Sequence, residues 1–361
     1  MGQYWILRNL DNGSNLGGGK LGECLIDGSF NDSIPPLAIP TGFKPPKDLP
    51  SLFNQTDHFS WEKSTKAPPK CLPPQKEKLG HLQVFPDEII SHIFKSIETK
   101  EDIARFSLTN IYLFYIGYEV LQQRYMAEKP SWVGDRLMCV GDYARIEDLP
   151  TGVFTQEEVD NMKQYQDNLA DSSSSIGSLD DYLREIHPNH RRVELGLDYD
   201  ARERLMTEIF EDERVSWEYR SRIHSALFEL GSPRLLYKSE HPWVLCNLSK
   251  FQYVRFDAVR ELHGAKPKPA EGPFQFDRAC FSVGTLLVSR ICWSWDSSTS
   301  LCYKGPIHHG VWAGDRFEVT TTDRMRPTEG GKEWDDVTDE VLNEAIEIWK
   351  ADFGKNWVEY L

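Results

Sequence analysis

The chain has 361 residues, enough for two or three domains that each bury a core. Its formal net charge of -15 argues against nucleic-acid binding, which needs a basic face for phosphate contacts. Seven cysteines at positions 24, 71, 139, 246, 280, 292 and 302 contain no C-x-x-C pair, so neither a disulfide framework nor a zinc ribbon is expected.

The start, "MGQYWILRNLDNG", lacks a basic region followed by an apolar run, and Ile6 stands where a myristoylation signal wants Ser or Thr. No window approaches eighteen uninterrupted apolar residues. The expectation is an acidic cytoplasmic or nuclear protein with no membrane partner. Tyr4 to Asp11 reads as a strand, and "NLGGGKLG" reads as a hairpin turn, since its glycine spacing fits no phosphate loop.

From residue 35 to 78 the chain is rich in proline, which predicts an extended connector. In "FPDEIISHIFKSI" the apolar residues Ile89, Ile90, Ile93, Phe94 and Ile97 recur at helical spacing, with Pro86 in the first turn and Asp87 and Glu88 complementing the helix dipole. Thr99 with Asp102 is spaced as a helix cap for a second segment through Ile103 and Phe106. "NIYLFYIGYEVLQQRY" predicts a third helix. Three short amphipathic helices form a small unit whose first apolar surface is available to a partner.

The stretch "VFPDEIISHIFKSIETKEDIARFSLTNIYLFYIG" resembles an F-box, over Val84 to about Tyr125. Members of that family bind the adaptor subunit of SCF-type cullin-RING ubiquitin ligases. The resemblance implies adaptor-facing roles for Phe85, Pro86, Ile89, Ile90, Ile93, Phe94, Ile103 and Leu108. Phe85 stands in place of the usual Leu before Pro86, and "NIYLF" stands where a Cys-x-x-Trp is often found.

"SWVGDRLMCVGDY" follows, and "VWAGDRFEVTTTD" nearly repeats it. The opening segments match too: Trp5, Leu7, Asn9 and Leu10 correspond to Trp243, Leu245, Asn247 and Leu248. An acidic stretch and a capped helix follow each W-x-G-D-R, with Thr155 and Glu158 as a capping box in the first copy and Thr338 with Asp339 and Glu340 in the second. Trp5 and Trp132 lie 127 positions apart, Trp243 and Trp312 only 69, and the excess of 58 is about the size of the F-box-like stretch with part of its connector. The expected fold is α+β: two related strand-plus-helix modules from an internal duplication, with a three-helix F-box-like insertion in the first.

The domain plan is a discontinuous first module over 1–34 and 131–168, the proline-rich connector over 35–78 and the F-box-like unit over 79–130. A serine-rich, acidic linker open to phosphorylation covers 169–198, and 199–361 holds a helical segment covering the second module. The opening "MGQYW", "GGKLGECL", W-x-G-D-R and G-D-Y also resemble a family of uncharacterised proteins with no activity attached, over 1–161 and again from 242 onward.

Trp132, Gly134, Asp135 and Arg136, and likewise Trp312, Gly314, Asp315 and Arg316, read first as a structural turn. The glycines supply positive φ, the aspartates bond nearby amides, and the tryptophans bury area beside the turn. The arginines then pair with aspartates of the opposite strand or with Asp142 and Asp323. The chemical alternative makes Asp135 or Asp315 a general base beside an anion-holding arginine. No nucleophile or second carboxylate recurs at a reinforcing spacing in both copies. Cys292, Cys302, His308 and His309 match no metal-ligand pattern. No cofactor is expected; the partners expected are the ligase adaptor and an unknown target protein.

Overall fold

Where apolar residues are dense on both sides of a short strand, that strand is buried on both faces, and this governs the centre of the molecule. The computed structural model describes residues 2–42, 76–128, 131–170, 178–187, 199–211, 220, 223–224, 226–227, 230–231, 234–264, 272–273 and 281–361. The connector over 43–75, the serine-rich stretch over 171–177, the linker residues 188–198, Cys71 and Cys280 lie outside the described residues.

In chain order the elements are β1 (Tyr4–Asn9), β2 (Asn15–Lys20), α1 (Leu21–Ile26), α2 (Asp87–Ser96), α3 (Lys100–Ser107), α4 (Ile111–Ala127), β3 (Leu137–Gly141), α5 (Gln156–Ala170) and α6 (Leu179–Ile186). They continue with α7 (Tyr199–Glu211), β4 (Trp243–Asn247), β5 (Gln252–Arg255), α8 (Phe256–Leu262), α9 (Val283–Ile291), β6 (Cys292–Trp293), β7 (Phe317–Thr321), β8 (Asp335–Asp336) and α10 (Thr338–Phe353). The protein is therefore mixed α+β, in two units: a strand unit of residues 1–39, 130–193 and 238–361, and a helical unit of residues 40–129 and 194–237.

The strand unit holds two four-stranded sheets, ordered β2-β1-β3-β6 and β7-β4-β5-β8. In each, a hairpin is followed by a short helix, and the hairpin's first strand also pairs antiparallel with the strand after W-x-G-D-R. The registers correspond: Trp5 faces Gly141 and Asn9 faces Leu137, as Trp243 faces Thr321 and Asn247 faces Phe317. Each half also lends backbone to the other's sheet. Cys292 lies parallel to Cys139 of β3, while Ala38 bridges in parallel to Val319 of β7.

One expectation changes. "NLGGGK" is a strand, not the turn; the turn falls at residues 10–14, and the glycines run along an edge where backbone pairing with β1 needs no side chain. β3, β4 and β7 are buried on both faces. In the first sheet one face is covered by α5 and α6, whose Met162, Leu179, Tyr182 and Leu183 pack with Met138 and Val140. Arg8, about 1% exposed, is tolerated in that interior by its 2.7 Å ion pair with Asp180.

In the helical unit, α2, α3 and α4 lie where the apolar spacing puts them. Thr99 caps α3 by accepting from the Asp102 amide at 3.0 Å, and Asn110 caps α4 by accepting from the Tyr112 amide at 2.8 Å. Arg124 of α4 donates to the carbonyls of Lys95, Ile97 and Glu98, satisfying the C-terminal end of α2. Gly117 allows the helices their approach: a Cβ there would lie 1.9 Å from the Ser107 hydroxyl and 2.7 Å from the Phe94 ring. α7 belongs to this unit, not to the second strand module, and ion pairs of Arg105 with Glu208 (3.0 Å) and Arg204 with Glu101 (2.7 Å) tie it to α3.

Candidate functional site

Two places carry the residues singled out by the sequence, one in each unit. In the strand unit the W-x-G-D-R turns meet each other. Gly134 and Gly314 take φ of +82° and +80°, and each donates its amide across to the other sheet, Gly134 to the Phe317 carbonyl and Gly314 to the Leu137 carbonyl, both at 2.8 Å. Arg136 and Arg316 are bridge partners between them.

The polar side chains are consumed in holding this clasp. The Asp135 carboxylate accepts from Asn9 Nδ2 at 2.8 Å, and Asp315 accepts from Asn247 Nδ2 at 2.7 Å. Those asparagines in turn accept backbone amides two and three residues on: Asp11 and Asn12 in one copy, Ser249 and Lys250 in the other. Trp132 and Trp312 are fully buried, their indole N–H groups donating to Ser14 and Gln252 at 2.7 and 2.9 Å. Lys250 adds an ion pair to Asp315 at 3.1 Å.

The arginines differ between the copies. Arg136 pairs with Asp11 at 2.7 Å and Glu158 at 2.8 Å, and donates to the Val153 carbonyl. Arg316 reaches the same Asp11 at 2.9 Å and the Gly134 carbonyl at 2.7 Å. Neither pairs with Asp142 or Asp323, which corrects that option: Asp142 instead accepts the Tyr4 amide, and Asp323 lies 3.8 Å from His241.

The ionisation equilibria follow. The Arg136 hydrogen bond, helped by the Thr155 amide against burial, holds the Glu158 carboxyl at about 2. Burial works against the charge on Asp11, but Arg136 and Arg316 outweigh it and bring the carboxyl below its usual range. For Arg136 burial opposes the charge, and Glu158 and Asp11 overcome it.

Elsewhere in this unit the thiol of Cys139 is pushed well up by burial and by its neighbour Cys292. Cys292 donates to the Val288 carbonyl, and His309 sits 3.4 Å from Asp148. Among the described residues no three His, Cys, Asp or Glu side chains are grouped to hold a metal ion. The cap of α10 also differs from expectation: Asp336 accepts from the Thr338 amide at 3.0 Å, while Thr338 itself accepts the Arg255 amide.

The helical unit separates the eight F-box-like positions into three sets. Ile90, Phe94 and Ile103 are buried in the packing of α2, α3 and α4, with Phe94 and Phe106 ring centroids 4.8 Å apart, so they serve the core and not a partner. Ile93 and Leu108 are half-buried. Phe85, Pro86 and Ile89 are exposed.

Two residues absent from the sequence reading of this surface join them, Val84 at 74% and Ile111 at 39% exposure. Asp87 at the start of α2 hydrogen-bonds Tyr112 at the start of α4, which brings these helix ends together; burial first, then Asp87, pushes the Tyr112 hydroxyl up to about 12. The signal for both was present in the sequence, Val84 as an apolar residue just before the first helix and Ile111 as the first residue of the third. Among the described residues no helix is long and apolar enough to cross a membrane. Comparison with protein-family models, curated proteins and solved structures finds no match to this chain.

Proposed function

We propose that the chain is an F-box-type substrate receptor: the helical unit docks the adaptor of an SCF-type cullin-RING ubiquitin ligase, and the strand unit, an internal duplication that received the helical insertion, recruits a target protein. On this reading the protein is a non-catalytic subunit working in the cytoplasm or nucleus. The observation that carries it is the exposed apolar surface of Val84, Phe85, Pro86, Ile89 and Ile111 on helices whose own core is already closed by Ile90, Phe94 and Ile103. The matched registers of the two sheets support the duplication. A pocket reading of W-x-G-D-R loses support because both aspartates and both arginines are spent on intramolecular partners.

The test is co-purification with purified adaptor. Wild-type protein is retained, and Phe85→Asp combined with Ile89→Asp abolishes retention with an unchanged melting temperature, because both side chains are exposed. Absence of association by wild-type protein overturns the reading and leaves a structural interaction protein without a ligase link.

A further inference from the structure

The two sheets of the strand unit match in register, so their faces compare position by position. Met138 faces Arg8 across β3 and β1 as Glu318 faces Cys246 across β7 and β4, which sets Glu318 in the place of Met138 and Thr320 in the place of Val140. Met138 and Val140 are core residues, packed with Met162, Leu179 and Tyr182. Apolar side chains close the sheet at those two places in the first half, and the second half buries a carboxylate and a hydroxyl there instead.

Glu318 and Thr320 are at most 1% exposed. Glu318 Oε2 lies 2.7 Å from Arg326 Nε, but Oε1 and the Thr320 hydroxyl have no hydrogen-bond partner among the described residues. Burial lifts the Glu318 carboxyl above its usual range even against the pull of Arg326. A carboxylate so placed is costly to the fold, and such a group marks a site more often than a core position does. Arg326 reaches it from outside. Its side chain is 54% exposed, and it stands in the irregular stretch between β7 and β8, with its carbonyl held by Trp334 Nε1 at 2.9 Å. The side chain therefore swings away without breaking a helix or a ladder, and its course traces a path from solvent to Glu318.

We infer that Glu318, with Thr320, receives an arginine side chain of a target protein, and that Arg326 is its resident occupant in the free chain. A planar guanidinium fork serves both oxygens of one carboxylate and keeps further donors for a hydroxyl, which a lysine ammonium does not match. The exchange of one arginine for another keeps the buried charge paired on both sides of the equilibrium. The inference rests on the target-recruiting half of the proposed function and names the side chain recognised. It is read on Glu318 and not on Phe85 or Ile89, so its failure and that of adaptor docking are separate results.

The probe is N-acetyl-arginine methylamide, added to the full chain while the Glu318 carboxyl carbon is followed by NMR. In Arg326→Ala the resonance moves and saturates with a half-point of about 10 mM, a single side chain's worth of affinity, and the melting temperature rises with it. Wild-type protein responds at about tenfold higher concentration, because Arg326 competes. N-acetyl-lysine methylamide binds Arg326→Ala about fivefold more weakly. Glu318→Gln in the Arg326→Ala background keeps the side-chain shape and loses the rise in melting temperature. A Glu318 resonance that stays fixed in both wild-type and Arg326→Ala protein overturns the inference. Equal binding of the lysine probe overturns it too, as does a rise in melting temperature that survives Glu318→Gln.

Discussion

Gly134 and Gly314 occupy equivalent turns at positive φ, yet their surroundings differ. A Cβ on Gly134 would meet only Arg326 Nη2 at 4.0 Å, whereas on Gly314 it would lie 2.2 Å from Val153. Gly134→Ala therefore costs about 1 kcal/mol from the left-handed backbone alone. Gly314→Ala adds overpacking and costs about 3 kcal/mol; the two denaturant midpoints, at unchanged slope, check this ordering. Glu158 gives the clasp a pH dependence of definite sign. Its carboxyl titrates at about 2 in the folded chain against 4.5 ordinarily, so the stability it contributes is present above pH 4.5 and drains away as pH falls toward 2. Asp11, also held low, acts in the same direction. Glu158→Gln lowers stability at pH 7 by about 1 kcal/mol, discounted for its partial exposure, and flattens the decline between pH 4.5 and 2; a steeper decline in the variant contradicts the assignment.

Among the elements, α2 divides into residues that hold the unit and residues that face outward. Phe94→Ala opens a cavity among α2, α3 and α4 and costs about 3–5 kcal/mol, while Phe85→Ala, at an exposed site, stays within about 1 kcal/mol. Equal losses in melting temperature would dissolve that division. The helices themselves were legible in the sequence, because i, i+3, i+4 spacing and the caps at Thr99 and Asn110 are local signals. Which of the eight F-box-like positions faced outward was not legible, since Ile89 and Ile90 differ only by the packing of α4, which Gly117 permits. β2 was misread for a related reason: a run of glycines carries no alternation, and only its ladder with β1 makes it a strand. W-x-G-D-R was legible as a repeated turn, but nothing local in the chain says that Gly134 bonds Phe317 and Gly314 bonds Leu137.

At the scale of the strand unit, that exchange joins the two sheets. Neither β3 nor β7 completes its hydrogen bonds within its own half: Cys292 flanks β3 and Ala38 flanks β7. The sheets therefore unfold together, and native-state hydrogen exchange gives the amides of Gly134, Leu137, Gly314 and Val319 one common opening free energy. A first sheet that exchanges by a lower-energy opening than the second would refute this coupling. The same exchange orders events while the chain is being made. β1, β2 and β3 leave the ribosome long before Cys292, Phe317 and Val319, so the emerging first half carries an unfinished strand edge through much of its synthesis. Its native fold waits for the second half to arrive, and a chain stopped before Val319 presents that sticky edge to whatever chaperone or protease reaches it first.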